Sequence, residues 1–409
     1  MLAEIIAALL IGILFGIITG LIPGIHINLI GAFLISLSTG FLLNINPLYL
    51  VVFITSMSLT HTFIDFIPSI LLGCPDTSTE LSVLPGHELL KKGQGFNAIV
   101  LSAYGSFFAI FLLLIISFPA IKIIPKIYPT IESFLPFLLI FISFLMIMLE
   151  KNRKTALFVF LISGILGFSI LNLEGGLKQP LLPLLTGLFG SSMLITSIKN
   201  KPLIPKQKIP KKTTFSLLNR KNFSRAIIGS MFASPLCSFL PGLGSGQAAI
   251  IGNTLFNKKQ NKENKKTFLV LLGATNTLVM GFSFITLYIL SKTRTGSAAA
   301  IKTIIGSPNN SIILLIILII FLSGVLSYYI TIILGRFFCK KIHQIPYHIF
   351  SYVTLSLLAL VILLVSGLFG LLVFSISSLT GFYLISLGVR RTNMMGCLLV
   401  PTILIYLGF

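Results

Sequence analysis

The chain alternates between long apolar blocks and short polar segments. An apolar block of about 20 residues is long enough to cross the hydrocarbon core of a bilayer as a helix. The blocks therefore predict ten membrane-crossing helices, at 47–73, 97–118, 134–149, 155–173, 180–198, 267–290, 311–335, 350–366, 369–388 and 394–409.

Two further apolar segments are interrupted by a Pro-Gly pair. Segment 5–43 breaks at Pro23-Gly24, and segment 226–256 breaks at Pro241-Gly242. The second segment is too short for two crossings at about 20 residues each, so it predicts a hairpin that enters the bilayer and returns. Proline ends the incoming helix, and the glycines permit the reversal and leave backbone N–H groups bare. Bare backbone at membrane depth must be buried in protein or line a wet cavity, so both tips are binding-site candidates.

Basic loops predict the orientation of the chain. Residues 199–225 hold nine Lys or Arg and no acid, and residues 257–266 hold five Lys against one Glu. Short loops this basic stay in the cytoplasm, so the hairpin at 226–256 opens toward the inside. The first hairpin has no basic residue at either end and is expected to open toward the outside. The two hairpins therefore have opposite orientations.

Three short motifs recur in the same order at a near-constant offset, which indicates a duplication. The pairs are Pro23-Gly24 with Pro241-Gly242, Thr60-His61-Thr62 with Thr275-Asn276-Thr277, and Thr77-Ser78-Thr79 with Thr293-Arg294-Thr295. Inverted repeats with broken helices are typical of secondary transporters. We therefore predict an all-α polytopic membrane protein of two inverted-topology repeats, each a Pro-Gly-tipped re-entrant hairpin plus about five transmembrane helices. The predicted parts are a first repeat (1–198), a basic cytoplasmic linker (199–225) and a second repeat (226–409).

The composition agrees with a multi-pass protein of the cytoplasmic membrane. Hydrophobic residues make up 55% of the chain and charged residues 10%, which no soluble core requires. The net charge of +21 does not indicate nucleic-acid binding, because the basic residues lie in short loops between apolar blocks. The four cysteines lack CxxC spacing, and no GxxxxGK[ST] loop is present. We expect no metal centre, no nucleotide-driven pumping and no cofactor, apart from a coupling Na⁺ or H⁺.

Acidic residues are few, and Asp65 lies inside an apolar run. A carboxylate within a membrane segment is costly and usually faces the protein interior, so Asp65 is a candidate ion-coupling residue, with His61 and Asp76. The alternative is an acid near the inner interface that is solvated or hydrogen-bonded where Pro68 breaks the helix. His61 lies four residues before Asp65 on the same helix face. A plain His–Asp hydrogen bond is favoured over acid–base catalysis by this pair.

The polar breaks differ in charge between the two halves. Asp76 and Glu80 accompany the first break, and Lys292 and Arg294 accompany the second, where a guanidinium can grip a carboxylate with two hydrogen bonds. The alternative for Lys292 and Arg294 is an ordinary exposed loop. The predicted substrate-binding residues are Pro23, Gly24, Asn28, Thr77, Ser78, Thr79, Pro241, Gly242, Gly244, Ser245, Asn276, Thr293, Arg294 and Thr295.

Several short motifs resemble those of the TctA-type permeases, the large membrane subunit of tripartite tricarboxylate transporters. They are Ile70 to Pro75, Leu84-Pro85-Gly86-His87, Lys92-Gly93, Pro241-Gly242-Leu243-Gly244 and Thr293 to Ala298. The chain departs from the family pattern at Asp76, where Gly is usual, and at Pro85, where Asp is usual. The resemblance implies uptake of organic anions driven by a Na⁺ or H⁺ gradient. It also implies two partners, a small membrane subunit and an extracytoplasmic binding protein.

These observations favour an ion-coupled secondary transporter of a small organic anion, of the carboxylate class. The glycine amides and helix N-termini at the two Pro-Gly tips would receive the anion, because both favour negative charge. One alternative is an intramembrane enzyme that uses His61 and Asp65, although a single catalytic site does not require two mirrored hairpins. A passive anion channel is the other alternative. The lipid bilayer and the anion are the expected partners, and nucleic acid is not.

Overall fold

The computed structural model describes residues 2–22, 45–72, 83–148, 150–173, 177, 180–200, 205–210, 218–239, 244–256, 262–344 and 347–408. Within these ranges every regular element is helical. The predicted second arm of the first hairpin, 25–43, lies outside the described residues. The described part of the chain therefore confirms the all-α class.

The first half contains nine α-helices in its described residues. They are α1 (Leu2–Leu21), α2 (Pro47–Ile64), α3 (Phe66–Leu72), α4 (Val83–Lys91), α5 (Gly95–Ser133), α6 (Leu135–Met148), α7 (Arg153–Leu171), α8 (Leu181–Leu185) and α9 (Ser192–Asn200). A π-helical segment, Thr186–Ser191, joins α8 to α9.

The second half contains seven α-helices in its described residues. They are α10 (Arg220–Phe239), α11 (Ser245–Phe256), α12 (Lys262–Leu290), α13 (Gly296–Ile305), α14 (Asn310–Lys341), α15 (Tyr347–Ser386) and α16 (Gly396–Leu407). Two short 3₁₀ segments, Ile342–Gln344 and Arg391–Met395, follow α14 and precede α16.

Seven helices of the described chain are long and apolar enough to cross a membrane. They are Leu2–Leu21, Pro47–Leu72, Gly95–Thr130, Arg153–Leu171, Lys265–Leu290, Asn310–Gln344 and Ser351–Ser386. Five predicted crossings coincide with helices of this set, and those at 134–149, 180–198 and 394–409 coincide with shorter apolar helices. The chain is therefore a multi-pass membrane protein.

The two predicted crossings at 350–366 and 369–388 form one helix, α15, that is interrupted at Gly367. Gly367 has φ 68° and ψ −167°, a conformation that favours glycine. A Cβ on Gly370 would lie 2.2 Å from the Cβ of Ser366, so the chain on the two sides of the break approaches very closely. The sequence thus located this interruption within two residues.

The predicted end of one crossing at residue 118 is wrong, because α5 continues to Ser133. It passes through Pro119, Pro125 and Pro129 without ending. Membrane helices tolerate proline because neighbouring groups compensate for the missing N–H. A sequence reading that treats every proline as a helix end fails here.

Helices α2 and α12 form the centre of the protein. Of their most apolar windows, 94% and 89% of residues are buried, against 28–44% for the other five candidate spans. Large apolar side chains such as Phe63, Phe66, Phe282 and Phe284 are fully enclosed there. Lipid-facing helices leave one side exposed, so this difference marks α2 and α12 as the pair that other helices surround.

Close backbone contacts at glycines fix the central crossings. Gly12, Gly16 and Gly20 lie on one face of α1, where each Cβ would clash with α2. This small-residue spacing lets membrane helices approach closely. Gly105 of α5 and Gly273 of α12 make the same kind of contact, since their Cβ atoms would lie 2.0 Å and 2.1 Å from backbone oxygens of the facing helix.

The helices that flank the second Pro-Gly tip, α10 and α11, pack against each other. Their closest approach is at Gly229 and Gly252, where a Cβ on Gly252 would lie 2.8 Å from the Gly229 oxygen. These glycines lie 12 residues before and 10 residues after Pro241-Gly242 along the chain, as in a hairpin with two similar arms.

The helices of the two halves of the chain pack in a similar pattern. Helix α1 packs on α2, and α10 packs on α12. Across the halves, α5 packs on α12 and α14 packs on α2. Similarly, α16 packs on α7, while the π-helical segment and α9 pack on α15.

The inter-half segment is docked on the first half along residues 205–210. The Gln207 side chain accepts a hydrogen bond from Gly95 N (2.8 Å) and donates to Leu90 O (3.1 Å). Lys208 N donates to Gly93 O at 2.7 Å. Gln207 is only 7% exposed, although it lies in a strongly basic stretch. This part of the predicted linker is therefore packed against the turn between α4 and α5.

Candidate functional site

A polar cluster lies where α2 and α12 cross. Thr62 Oγ1 and Thr277 Oγ1 are 3.4 Å apart. The Asn276 side-chain amide donates to Thr62 O at 3.3 Å and to Asp65 Oδ2 at 3.1 Å. Because a backbone carbonyl only accepts, the contact with Thr62 requires the NH₂ group of Asn276 on this side. Asp65 therefore receives a donor from the other half of the chain.

Asp65 occupies the junction between α2 and α3. Its backbone stays helical, with φ −59° and ψ −20°, and its N–H donates to His61 O. Pro68 has no N–H to offer the Ile64 carbonyl, which explains why the helix ends there. The side chain of Asp65 is 3% exposed. Asp65 is thus enclosed and hydrogen-bonded rather than exposed, and its role in ion coupling stays a prediction.

His61 is 2% exposed and contacts α1. Its Nδ1 lies 3.2 Å from Thr19 Oγ1. The imidazole and the Asp65 carboxylate lie one turn apart on the same helix, as their spacing predicts, and each has a partner on a different neighbouring helix. His61 links α2 to α1, and Asp65 links it to α12.

Buried hydroxyl contacts extend this cluster along α2. Ser327 Oγ of α14 donates to Thr60 Oγ1 at 2.9 Å. Ser58 Oγ donates to Ser297 Oγ, in the first turn of α13, at 2.5 Å. Helix α2 is thereby joined by polar contacts to α1, α12, α13 and α14.

Arg294 lies beside the end of α10. Its Nε donates to Ser238 O at 3.0 Å, and Thr286 Oγ1 donates to the same oxygen at 3.4 Å. Arg294 Nη2 is buried and has no hydrogen-bond partner among the described residues. Burial lowers the pKa of the Arg294 guanidinium from its ordinary value, because a cation is costly to remove from water. The groups that act on its charge are Tyr128, Tyr406 and Cys237, none of them a carboxylate.

The residues next to Arg294 in segment 292–295 make different contacts. Thr295 caps α13, accepting from Ala298 N at 3.2 Å, and its hydroxyl lies 3.0 Å from Ser283 Oγ. Thr293 is exposed. Lys292 is held by Tyr128, whose hydroxyl accepts from Nζ at 3.0 Å. Lys292 is exposed and Arg294 is only partly exposed, so the alternative of an ordinary exposed loop fits Lys292 better than it fits Arg294.

Ser245 is buried at the start of α11, and Gly244 precedes it. Thr277 and Thr286 are nine residues apart on α12, or about 13 Å along the axis at 1.5 Å per residue. The structure therefore brings the predicted residues together in two groups. The Asp65 group contains His61, Asp65 and Asn276, and the Arg294 group contains Arg294 and its neighbour Thr295.

The remaining predicted site residues lie outside the described residues. They are Pro23, Gly24, Asn28, Asp76, Thr77, Ser78, Thr79, Pro241 and Gly242. The convergence of both tips on one anion therefore stays a prediction.

Sequence reasoning missed Thr19, Ser238, Ser297 and Ser327. All four are small hydroxyl residues within apolar helices, and Ser238 contributes its backbone oxygen rather than its side chain. The Gly-x-x-x-Gly spacing of α1 could have indicated the contact that brings Thr19 to His61. Within the described residues, no group of three or more His, Cys, Asp or Glu could hold a metal ion.

Long apolar helices surround the polar contact between α2 and α12, and the Arg294 guanidinium lies beside the end of α10. These are features of a membrane transporter. Comparison with known families agrees. The chain matches the Tripartite tricarboxylate transporter TctA family over residues 6–396 and belongs to that family. The family comprises the large membrane component of transporters that generally include a small membrane subunit and a periplasmic binding protein.

The chain is also similar to the uncharacterized protein MJ1079 of Methanocaldococcus jannaschii. The two are 31% identical over 363 residues, which cover 87% of this chain and 88% of the relative. No solved structure gives a significant match.

Proposed function

We propose that this protein is an ion-coupled secondary transporter of a small organic anion of the carboxylate class, driven by Na⁺ or H⁺ across the cytoplasmic membrane. Membership in a tricarboxylate-transporter family supports the general activity. The observation that carries the anion site is the buried guanidinium of Arg294, whose Nη2 has no partner among the described residues.

Arg294 is suited to bind a carboxylate. Arg294 is partly buried and has no counter-ion among the described residues, which is unfavourable because desolvation is not offset by an opposite charge. The bond from Nε to Ser238 O orients the guanidinium at the end of α10 and leaves Nη2 available. A carboxylate would supply both the missing acceptor and the missing charge. Gly244 and Ser245 follow the Pro-Gly pair in the sequence, at the start of α11, and we propose that they contribute to the same site.

Asp65 is the proposed coupling group, with His61 as its neighbour on α2. A carboxylate that is 3% exposed inside a membrane helix is costly unless its charge is compensated. A proton or a Na⁺ ion at Asp65 would provide that compensation. Asp65 follows α2 and Arg294 follows α12, so both groups are connected to the central helix pair and binding at one would affect binding at the other. Asp76 remains a further candidate from the sequence alone.

The proposed architecture is a pair of inverted repeats, 1–198 and 226–409, with re-entrant hairpins at the Pro-Gly tips. Packing across the two repeats supports this proposal, because α5 of the first repeat packs on α12 of the second and α14 of the second packs on α2 of the first. So does the pair of short helices α4 and α13, which end at Gly93 (φ 73°) and Gly306 (φ 69°). Such repeats, related by an axis in the membrane plane, provide two similar conformations for alternating access.

Contacts between loops support the proposed orientation. Lys265 pairs with Glu88, and Arg390 Nε lies 3.4 Å from Glu150 Oε1. Each of these pairs joins two loops that the basic residues assign to the inside. Lys292 and Tyr128 join two segments assigned to the outside. We further propose that a small membrane subunit and an extracytoplasmic binding protein serve this chain, as in its family.

The test is transport by purified protein in proteoliposomes. Labelled tri- and dicarboxylates should accumulate against their gradient only when a Na⁺ or H⁺ gradient is imposed, and Asp65→Asn should abolish accumulation while anion binding stays measurable. Equilibration without accumulation would indicate a passive channel.

Arg294→Ala should weaken anion binding at least about 30-fold, because losing an Arg partner of a desolvated carboxylate costs about 2–5 kcal/mol. Arg294→Lys should recover part of the affinity. Lys302→Ala is the matched control, since Lys302 lies on α13 and its Nζ donates to Ser291 O. Unchanged affinity in a folded Arg294→Ala protein would remove Arg294 from the site.

A further inference from the structure

We propose that Asn276 is a positioning residue for Asp65 rather than a substrate ligand, and that it couples the charge of Asp65 to the contact between the two halves. This inference rests on the proposed function above. It changes the role that the sequence predicts for Asn276, and it follows from the direction of two hydrogen bonds.

The Asn276 amide is oriented by the first half of the chain. Its NH₂ group donates to Thr62 O and to Asp65 Oδ2, at 3.3 Å and 3.1 Å. Asn276 is 4% exposed and lies on the most enclosed face of α12. A side chain whose donors are both used within the protein is poorly placed to bind an incoming carboxylate. It is well placed to stabilise the ionised form of Asp65, because a hydrogen bond to a carboxylate favours its charged state.

The two halves differ at the position of Asp65. With the offset of 215 that relates Thr62 to Thr277, Asp65 corresponds to Met280 and His61 corresponds to Asn276. The second half therefore contributes no acid at this crossing. Instead, the second half contributes the Asn276 amide, which donates a hydrogen bond to Asp65. The coupling group is thus present once, and its partner reaches it from the opposite repeat.

The hydrogen bond between Asn276 and Asp65 joins α12 to the end of α2, and we expect these helices to move relative to each other during transport. When a cation binds Asp65, the carboxylate oxygen shared with Asn276 is drawn toward the cation, and the link between α2 and α12 weakens. The elements packed around α2 and α3 carry further titratable side chains, which include His87, Glu88 and Lys91 on α4, Tyr104 on α5, and Tyr328, Arg336 and Cys339 on α14, besides His61 on α2 itself. Thr19 of α1 and Asn276 of α12 present uncharged groups to this region.

The protonation state of Asp65 can be measured by chemical labelling, without a transport assay. Dicyclohexylcarbodiimide enters the bilayer and modifies protonated, buried carboxyl groups, and mass spectrometry identifies the labelled peptide. In the wild-type protein, higher pH should slow the reaction at Asp65 because it removes the proton that the reagent requires, and added Na⁺ should slow it as well if Na⁺ is the coupling ion. Asn276→Ala should label at least about threefold faster at the same pH, because the ionised form has lost its donor. Thr277→Val is the matched control, since it removes a contact with Thr62 and leaves the amide in place.

Transport assays distinguish the positioning role of Asn276 from direct binding of the substrate. Asn276→Ala should shift the half-saturating concentration of the driving cation about tenfold, downward for H⁺ because the protonated form of Asp65 is favoured and upward for Na⁺ because protons then compete better for Asp65, and it should change the anion dissociation constant less than threefold. The exchanged pair Asp65→Asn with Asn276→Asp should restore part of the accumulation that Asp65→Asn loses.

Two results would overturn the inference. One is an unchanged labelling rate at Asp65 in Asn276→Ala, and the other is a loss of anion affinity in that variant comparable to the loss in Arg294→Ala. If instead labelling responds as expected and no carboxylate is accumulated by the wild-type protein, the positioning role stands and the proposed substrate class fails.

Discussion

Thr62 and Thr277 place their hydroxyl oxygens 3.4 Å apart, although 215 residues separate them in the chain. They occupy equivalent positions in the duplicated Thr-x-Thr motif. Equivalent residues of two copies can contact each other only close to the symmetry axis that relates the copies. The contact is therefore what an inverted repeat with its axis through the α2–α12 crossing would produce.

The glycine crossing of α5 and α12 should be sensitive to added volume. Gly105→Ala is expected to destabilise the protein by about 1–3 kcal/mol, because the new Cβ would lie 2.0 Å from Val270 O and the helices would have to separate. Thermal unfolding in detergent measures the effect. Gly190→Ala is the control, since the nearest atom to its Cβ lies at 3.9 Å. Equal melting temperatures for the two variants would contradict the crossing.

His87 should make the protein sensitive to mild acid. Burial, and then the charges of Lys91 and Arg391, lower its pKa from 6.5 to about 4. The unfolded chain therefore binds more protons than the folded protein between about pH 4 and 6.5, and the free energy of unfolding falls as pH falls through that range. The loss is at most about 3 kcal/mol.

Thermal melts from pH 7 to 4.5 measure this effect. His87→Gln should flatten the pH dependence without removing what other groups contribute. A variant with the same acid sensitivity as the wild-type protein would show that another group is responsible.

Labelling of single cysteines should test the orientation derived from the basic loops. In a background without the native cysteines, Ser216→Cys and Asn261→Cys should react with an impermeant maleimide only from inside. Asn44→Cys should react only from outside, because no basic residue holds its segment in the cytoplasm. Outside labelling at position 261 would end the argument for opposite orientations.

The docked segment 205–210 should contribute to stability through Gln207. Gln207→Ala removes the acceptor for Gly95 N and leaves buried backbone groups of Leu90 and Gly95 without this partner, at a cost of about 1–3 kcal/mol. Lys206→Ala, an exposed neighbour, should have little effect. Limited proteolysis near residue 208 reports undocking directly, and equal cleavage rates in both variants would contradict the role of Gln207.

Local patterns in the sequence predicted most of the helices and the interruption near Gly367, because apolar length and glycine chemistry act over a few residues. They also singled out Asp65, since a carboxylate in an apolar run is unusual. The short helices α4 and α13 were missed, because their apolar runs are too short to resemble crossings.

The partners of the site residues were not predictable. Ser238 O, Thr19 and the direction of the Asn276 amide depend on contacts over 42 to 211 residues of sequence separation. Such contacts leave no periodic signal in the chain. Asn276 was found from its repeat position, but its role depends on which atoms it faces.

The position of Gln207 determines where this chain could be divided into two polypeptides. The N–H of Gly95, in the first turn of α5, depends on a side chain that follows all nine helices of the first half. A gene split at residue 198 would place this capping group on the wrong fragment. A split after residue 210 would leave each fragment with the groups that complete its own helices, so coexpressed halves divided there should assemble more readily.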